Sequence, residues 1–127
     1  MTPKFRVWDT VKKSMSEVQA IVYAEEKIYP IYSKVIRRYI PFNEAILMQS
    51  TGLFDVNGKE IFEGDVIRVN YTDDDSPWTD AIIWSPKDCA WYLKSNKELL
   101  GFAMDEPDII VEVIGNIYEN PELVEEK

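Results

Sequence analysis

The residues with the clearest potential for chemistry lie in one acidic, glycine-containing stretch, FDVNGKEIFEGDVI, residues 54–67. Carboxylate and amide oxygens are the ligands that calcium prefers, and spaced oxygens in a glycine-containing loop are typical of a calcium site. The stretch carries five such side chains: Asp55, Asn57, Glu60, Glu63 and Asp65. A calcium loop that began at Asp55 would need a glycine at its sixth position and a glutamate at its twelfth. The glycine falls two positions early, at Gly58, and the twelfth residue is Val66, so the ligand spacing fails.

The same stretch is better explained as two turns joined to short strands. Asn57–Gly58 is the pair that a two-residue type I′ hairpin prefers, because both positions need a positive φ angle. The predicted register pairs three positions across the hairpin: Val56 with Lys59, Phe54 with Ile61, and Leu53 with Phe62. It also sets Asp55 opposite Glu60, a like-charge pair that costs a few tenths of a kcal/mol. Gly64–Asp65 predicts a second turn, which leads into the next strand.

The composition restricts the chemistry further. The chain has 127 residues, with no histidine and one cysteine, Cys89. Without histidine there is no imidazole base, no nucleophile–histidine pair and no histidine-ligated metal. One cysteine forms neither an internal disulfide nor a thiolate metal site, and this favours a reducing compartment. We therefore expect no enzymatic activity, no cofactor and no bound metal, and we assign no catalytic residue.

Location and charge bear on the partners. No apolar run approaches the roughly 20 residues of a membrane helix, and the N-terminus lacks a signal-peptide core, so we expect a cytoplasmic protein without membrane association. The net charge is −9, from 14 basic and 23 acidic residues. Since phosphate backbones are bound chiefly by Lys and Arg, general nucleic-acid binding is not expected. The densest basic segment, SKVIRRY, contributes only Lys34, Arg37 and Arg38.

Short β-type runs dominate and predict a mainly β fold (β-rich α+β). The strand candidates are KFRVWD, EVQAIVYA, AILMQ, DVIRVNY, DAIIWS, CAWYLK and IIVEVIGNIY. Turn signals between them, at this spacing, are typical of a small barrel or sandwich. The first two candidates predict a hairpin across the polar segment TVKKSMS. The acidic run DDDSPW, residues 73–78, is expected to form a solvated loop, because adjacent like charges repel.

Two segments favour helical structure. Residues 27–44 contain four apolar or aromatic side chains at helical spacing: Val35, Ile36, Tyr39 and Ile40. Pro30 and Pro41 bracket them, which favours a short helix or an irregular excursion, although the same residues are also common in strands. In the tail, Asn120 as a cap and Pro121 at the first helical position predict the start of a short helix.

Three blocks of the sequence resemble the YopX-like proteins of bacteriophages and prophages of Gram-positive bacteria. They are KFRVWD at residues 4–9, LMQSTGLFDVNGKEIFEGDVI at residues 47–67 and VIGNIYENPELVEE at residues 113–126, in the family's order. The resemblance implies a phage or prophage origin and a β-rich fold. The strand and helix patterns described above predict an N-terminal subdomain at residues 1–45, with a β-hairpin and an irregular or short helical part, and the resemblance implies an SH3-like barrel in the C-terminal half. A small SH3-like barrel with a short C-terminal tail then occupies residues 46–127.

The resemblance supplies no catalytic residue, because the family has no established activity. Its pattern positions are mostly structural in type: Thr51, Gly52, Leu53, Asp55, Gly58, Gly64, Asp65, Gly115, Asn116 and Tyr118. The glycines among them suit turns, where a positive φ angle is needed.

Aromatic side chains are the strongest candidates for a binding surface. Trp78, Trp84, Trp91 and Tyr92 fall within the predicted barrel. Aromatics on a small barrel can stack single-stranded bases or hold a proline-rich peptide, although core packing explains many of them equally well. If CAWYLK is a strand, either Trp91 or Tyr92 points outward. Trp78, which we expect outside the regular strands, is our first choice of binding anchor.

Three kinds of function remain open. The leading prediction is a non-catalytic phage or prophage accessory protein that binds a host or phage protein or assembles with itself. A second is an acidic mimic that acts on nucleic-acid-binding proteins, whose carboxylates would form a stripe with phosphate-like spacing. The acids of this chain concentrate instead in loops and in the tail. A third is single-stranded nucleic-acid or peptide binding through the barrel aromatics. The residues do not identify the partner or the oligomeric state.

Overall fold

The computed structural model describes residues 3–31 and 35–124. Strands account for 55% of the described residues and helices for 12%, so the fold is mainly β, as the sequence predicts. The chain divides into two compact units, Met1–Ser50 and Thr51–Lys127. Within the described ranges, no helix combines the length and the apolar character that crossing a membrane requires.

The N-terminal unit is an antiparallel arrangement around one hairpin. Its strands are β1 (Phe5–Asp9), β2 (Ser14–Val22), β3 (Lys27–Ile31), β4 (Ile40–Pro41) and β5 (Ala45–Phe54), the last of which continues into the second unit. They follow the order β4-β3-β2-β1-β5. Val7, Ile28 and Ile40 form the buried core of this unit. The predicted β1–β2 hairpin is confirmed, with Asp9 paired to Ser14 at its closed end.

The helix that the spacing within residues 27–44 favoured does not form in the described part of that range, whereas the irregular alternative is confirmed for residues 35–39. Lys27–Ile31 is a strand, and the later part of the range holds only the two residues of β4 and a 3-10 helix, Phe42–Glu44. Ile36 is fully exposed whereas Ile40 is buried, so these two residues do not share one helix face. Residues 32–34, which include Lys34, lie outside the described residues. Pro30 fits into β3 because the register with β2 shifts just beyond its partner, Val18.

The C-terminal unit holds the remaining strands and a short α-helix. Its elements are β6 (Glu60–Phe62), β7 (Asp65–Tyr71), β8 (Asp74–Ser85), β9 (Ala90–Leu93), α1 (Leu100–Met104), β10 (Ile109–Asn116) and a 3-10 helix, Pro121–Leu123. The end of β5 is hydrogen-bonded to β6, and the later strands form an antiparallel sheet in the order β10-β7-β8-β9. Strand β7 coincides with the predicted run DVIRVNY. Its Val66, Ile67 and Val69 are fully buried, and Arg68 between them is exposed.

The predicted SH3-like barrel is wrong, because the described strands form sheets that do not close. β9 and β10 are the outer strands of their sheet, and each contacts another segment instead of pairing with the other. The backbone N–H of Val56 donates to the carbonyl of Val111 in β10 at 2.9 Å. Tyr92 in β9 forms a single antiparallel bridge with Leu99. Covered edges of this kind protect a sheet from pairing with other chains without closing a barrel.

The core of the C-terminal unit lies between its sheet and α1. Its buried members come from β6 to β10 and from α1: Ile61, Ile67, Val69, Ile82, Leu93, Leu100, Ala103 and Val111. Each buried aliphatic side chain of this size contributes about 1.5–3 kcal/mol to folding. Because Leu100 and Ala103 are both buried, α1 is anchored on one face and its other face is left toward solvent.

The hairpin after β5 forms, but with a different turn. Gly58 has a φ of +80°, while Asn57 is not among the described residues with positive φ, so the predicted type I′ turn is wrong. The N–H of Gly58 donates to the carbonyl of Asp55 at 3.0 Å, and the N–H of Asp55 donates to the carbonyl of Lys59 at 2.8 Å. Asp55 therefore faces Lys59 and not Glu60, which shifts the register by one residue. This is a three-residue loop that ends in a left-handed glycine.

The second turn and the short helix of the tail form as predicted, whereas the acidic run and the cap at Asn120 do not. Gly64 has a φ of +85°, and the predicted turn there leads directly into β7. Most of the acidic run expected as a loop is the exposed start of β8, where Asp74 pairs with Tyr71. Asn120 does not cap the 3-10 helix that follows it. Its Oδ1 instead accepts a hydrogen bond from the N–H of Asn116 at 3.2 Å.

Candidate functional site

Asp55, the residue best placed for metal or acid–base chemistry, is used to hold the hairpin. Its carboxylate is buried, and Oδ1 accepts the backbone N–H groups of Asn57 at 2.9 Å and Lys59 at 2.8 Å. The other oxygen, Oδ2, accepts the N–H of Val113 in β10 at 2.9 Å. The side chain therefore joins the turn to the outer strand of the sheet.

The electrostatics of Asp55 agree with this structural role. Burial on its own raises the pKa of the carboxyl group, but the N–H groups of Val113, Lys59 and Asn57 outweigh burial and hold that pKa below its ordinary value. A carboxylate that accepts several backbone N–H groups is stabilised in its charged form. Asp55 is thus ionised and surrounded by donors, an environment that suits neither a general base nor a cation ligand.

The family-pattern residues around β6 and β7 are also engaged within the fold. The Thr51 hydroxyl donates to the carbonyl of Ile61 at 2.7 Å, which ties β5 to β6. Asp65 is 1% exposed, and its Oδ2 accepts the N–H of Phe62 at 2.8 Å, which closes the second turn. Gly64 donates its N–H to the carbonyl of Ile82 at 2.8 Å. Two positions support the start of the unit in other ways: Gly52 has a φ of +78° and Leu53 packs against the core.

The C-terminal family block forms a compact turn after β10. The buried Asn116 accepts the N–H groups of Tyr118 at 3.0 Å and Glu119 at 2.8 Å through its side-chain oxygen. Gly115 allows the chain to return closely, since a Cβ there would lie 2.5 Å from Oδ1 of Asn120. These positions therefore shape the end of the unit.

The three predicted binding aromatics do not form one surface. Trp78 lies within β8, opposite Val69, so its predicted position outside the strands is wrong. Its ring packs against the core, lies 6.0 Å from that of Tyr71, and donates from Nε1 to Asp80 at 3.3 Å. Trp78 thus packs over the sheet. Because its ring is only partly buried, its role as a binding anchor stays a prediction.

Trp91 and Tyr92 take opposite sides of β9. Trp91 packs against the core, and its ring centre lies 4.9 Å from that of Trp84. Tyr92 lines a different recess, together with Ile83 and Lys97. Burial and the nearby Asp88 raise the pKa of the Tyr92 hydroxyl, so the phenol stays protonated at neutral pH. Of the predicted aromatics, only Trp91 reaches the cavity described next.

An open apolar groove of about 540 Å³ lies between the end of β5, β9 and α1. Its lining consists of Thr51, Leu53, residues 89–91, residues 99–102 and Asp105. Phe102 stands at the groove with 69% of its surface exposed, while Leu100 below it is 2% exposed. Asp105 is the one charged side chain among these described lining residues. The groove thus offers apolar walls, a protruding aromatic ring and a carboxylate.

Sequence reasoning missed the part of the groove that α1 supplies, because residues 95–108 were assigned to no element. The signal is present, since Leu99, Leu100, Ala103 and Met104 repeat at the i, i+3, i+4 spacing of a helix face. The segment is short, however, and α1 has no side-chain cap at its start. A helix of one turn forms only because its apolar face docks on the sheet.

Two carboxyl groups on either side of α1 share a hydrogen bond. The hydrogen bond to Glu106, together with burial, raises the pKa of Glu98 above its ordinary value. The Tyr71 hydroxyl also donates to Glu106, and this bond raises the pKa of Tyr71 to about 12. These contacts join both ends of the α1 segment to one another and to β7.

A second charged cluster lies in the N-terminal unit. Arg37 forms ion pairs with Asp9, at 2.7 Å, and with Glu44, at 2.6 Å. Burial raises the pKa of Asp9, but the N–H of Lys12 and the guanidinium of Arg37 outweigh it and hold the pKa below its ordinary value. The same two carboxylates raise the pKa of Arg37. Arg37, one of the three cations of the densest basic segment, is thus paired with two carboxylates of its own unit.

Acidic residues elsewhere do not converge. Among residues 3–31 and 35–124, no group of three or more His, Cys, Asp or Glu side chains is arranged to hold a metal ion. Asp73, Asp74 and Asp75 are exposed at the start of β8. The apolar groove is therefore the feature of the C-terminal unit that is best suited to binding.

Comparison with known proteins places the chain in a family. The family model described as YopX protein matches residues 4–125. The crystal structure of protein EF1440 from Enterococcus faecalis is similar over 98% of this chain and 99% of that one, with 31% identity and a TM-score of 0.68. The X-ray structure of yopX from Bacillus subtilis is similar over 96% and 98%, with 21% identity and a TM-score of 0.54, and supports the fold alone. No curated protein matches. The resemblance seen in the sequence is confirmed, and the chain belongs to the YopX family.

Proposed function

We propose that this protein is a non-catalytic accessory protein of a bacteriophage or prophage, that it acts in the cytoplasm of the bacterial host, and that it works by binding a protein. The bound protein is a host factor, a phage component or another copy of the chain. The observation that carries this proposal is the apolar groove between β9 and α1, with Phe102 protruding from it.

The groove has the properties of a protein-binding site. Aromatic side chains anchor many interfaces, because they bury a large area at a low cost in conformational entropy. Phe102 leaves 69% of its surface in water, although Leu100 and Ala103 on the same helix are buried. Burying the exposed part of Phe102 against a partner would gain free energy that folding alone leaves unused.

The use of the polar residues supports a non-catalytic role. The carboxylate of Asp55 is occupied by backbone N–H groups, and that of Asp65 accepts a bond that closes a turn. The chain also lacks histidine, the commonest acid–base catalyst. The family resemblance supports the phage or prophage origin, and both solved relatives come from bacteria.

Affinity capture with two matched variants tests the proposal. Phe102→Ser alters the groove, and Phe54→Ser is its control, because Phe54 is also exposed, at 55%, and does not line the groove. Tagged wild-type protein is used to capture partners from the host, and the captured protein is then purified and titrated against each variant. We expect Phe102→Ser to weaken binding by about 10-fold or more, since loss of an aromatic anchor commonly costs over 1.4 kcal/mol.

Phe54→Ser should bind as the wild type does. Both variants should melt close to the wild-type temperature, because exposed side chains contribute little to stability. Equal affinity of the two variants for every captured protein, and equal self-association, would rule out the groove as the binding surface.

A further inference from the structure

One exposed segment of the N-terminal unit has the chemistry that the groove lacks. Ile36 is fully exposed, and Arg38, two residues later, is exposed as well. Arg37 between them is held by its ion pairs with Asp9 and Glu44. The segment therefore presents an isoleucine and a cation to solvent on either side of the anchored arginine.

The groove is complementary to this pair of side chains. Its walls are apolar, so they match the aliphatic side chain of Ile36. Asp105, the one charged side chain among the described residues that line it, matches the guanidinium of Arg38. With 23 acidic residues against 14 basic ones, most surfaces of this chain would be repelled from such a groove.

We infer that the groove binds a second copy of this chain, whose Ile36 side chain enters between β9 and α1 while its Arg38 pairs with Asp105. This inference rests on the proposed function and names the occupant of the same groove. The contact joins two different surfaces, a segment on one copy and a groove on the other. Each copy has both a segment and a groove. It can therefore contribute its segment to one contact and its groove to a second, separate contact.

The two halves can be inactivated separately. Ile36→Ser removes the inserted side chain and leaves the groove intact, whereas Phe102→Ser alters the groove and leaves the segment intact. Sedimentation velocity over a range of concentrations should show self-association of the wild type and of Phe54→Ser. Each single variant should associate about 10-fold more weakly or worse, as expected for the loss of one buried anchor.

An equimolar mixture of the two variants gives the sharpest result. Ile36→Ser supplies a working groove and Phe102→Ser supplies a working segment, so the mixture should form a 1:1 complex that neither variant forms alone. In addition, Arg38→Asp should weaken association, and combining it with Asp105→Arg should restore it. No association in the mixture would overturn the inference, and so would no recovery in the charge-reversed double variant.

Cys89 allows the contact to be mapped, because it is exposed and lines the groove. Under mild oxidation, Ile36→Cys should form a disulfide between position 36 of one copy and Cys89 of another, which peptide mapping identifies.

Wild-type protein that stays monomeric at every concentration would overturn the inference that the groove binds a second copy. In that case the proposed function still stands if a captured protein loses affinity for Phe102→Ser, so the two failures are distinguishable.

Discussion

Asp55 offers the most direct test of how the C-terminal unit is held together. Three backbone N–H groups point at its carboxylate, those of Asn57, Lys59 and Val113. A hydrogen bond to a charged group contributes about 1.5–3 kcal/mol net when the donor is buried, and less when water can replace the acceptor. Asn57 and Lys59 are exposed residues of the turn, so their donors can turn to water, whereas Val113 is half-buried.

We therefore expect Asp55→Ala to lower the free energy of unfolding by about 3 kcal/mol, most of it from the Val113 donor. Asp55→Asn keeps one acceptor oxygen and should cost about 1–2 kcal/mol, because its amide NH₂ faces one of the former donors. Urea denaturation with linear extrapolation measures both values. A loss within about 0.5 kcal/mol for Asp55→Ala would refute the account, since that is the range of ordinary surface substitutions.

The pH dependence supplies an independent check. The folded-state pKa of Asp55 lies below its ordinary value of 3.8. The stabilisation from its ionised form is therefore complete above the unfolded pKa and is lost as the pH falls through the folded pKa. The gap in stability between wild type and Asp55→Asn should be constant near neutral pH and should shrink below about pH 4. A gap that widens on acidification would contradict the assigned shift.

Three further predictions concern single positions. Gly58→Val should lower the free energy of unfolding by more than about 1 kcal/mol, and Gly58→Asn by clearly less. A Cβ at Gly58 meets open space, so the difference comes from the φ of +80°, which a β-branched residue resists. Equal shifts in melting temperature for the two variants would argue against this. Gly115→Ala should cost about 1–2 kcal/mol in urea denaturation, since its Cβ displaces the Asn120 oxygen, and an unchanged stability would contradict the close approach. Glu98→Gln should stabilise the protein by about 0.5 kcal/mol at neutral pH, where the raised pKa of Glu98 means that its ionisation beside Glu106 opposes folding. That gain should vanish when the pH falls below the ordinary pKa of glutamate. Thermal melts at neutral pH and below that pKa measure the gain, and a gain that persists at the lower pH would contradict the prediction.

The strands were largely predictable because their side chains follow local rules. Strand β7 coincides with the run DVIRVNY, since its consecutive apolar residues suit a strand that is buried on both faces. The turn at Asn57–Gly58 was predicted in place but not in type. The preference of an Asn–Gly pair for a type I′ turn takes no account of hydrogen bonds from neighbouring side chains. Here the Asp55 carboxylate accepts two N–H groups of the loop and selects a different turn.

The groove could not be predicted, because it depends on contacts between distant segments. Its walls come from the end of β5, from residues 89–91, and from residues 99–102 with Asp105, and no local pattern shows that these segments meet. Helix α1 has one turn, so tertiary packing of Leu100 and Ala103 decides its formation. The aromatic residues misled for a related reason. Trp78 resembles a loop anchor in sequence, yet its register opposite Val69 places it on the sheet.

Alkylation of Cys89 tests most directly whether the groove is the contact surface. Cys89 is the only cysteine of the chain, it is exposed, and it lines the groove beside Trp91. Intact-mass spectrometry follows its reaction with a small alkylating agent in dilute protein, in concentrated protein and after addition of any purified partner. The account predicts that the reaction slows in step with complex formation, and that Phe102→Ser abolishes this protection while Phe54→Ser retains it. A complex that forms while Cys89 reacts at its free rate would contradict the account.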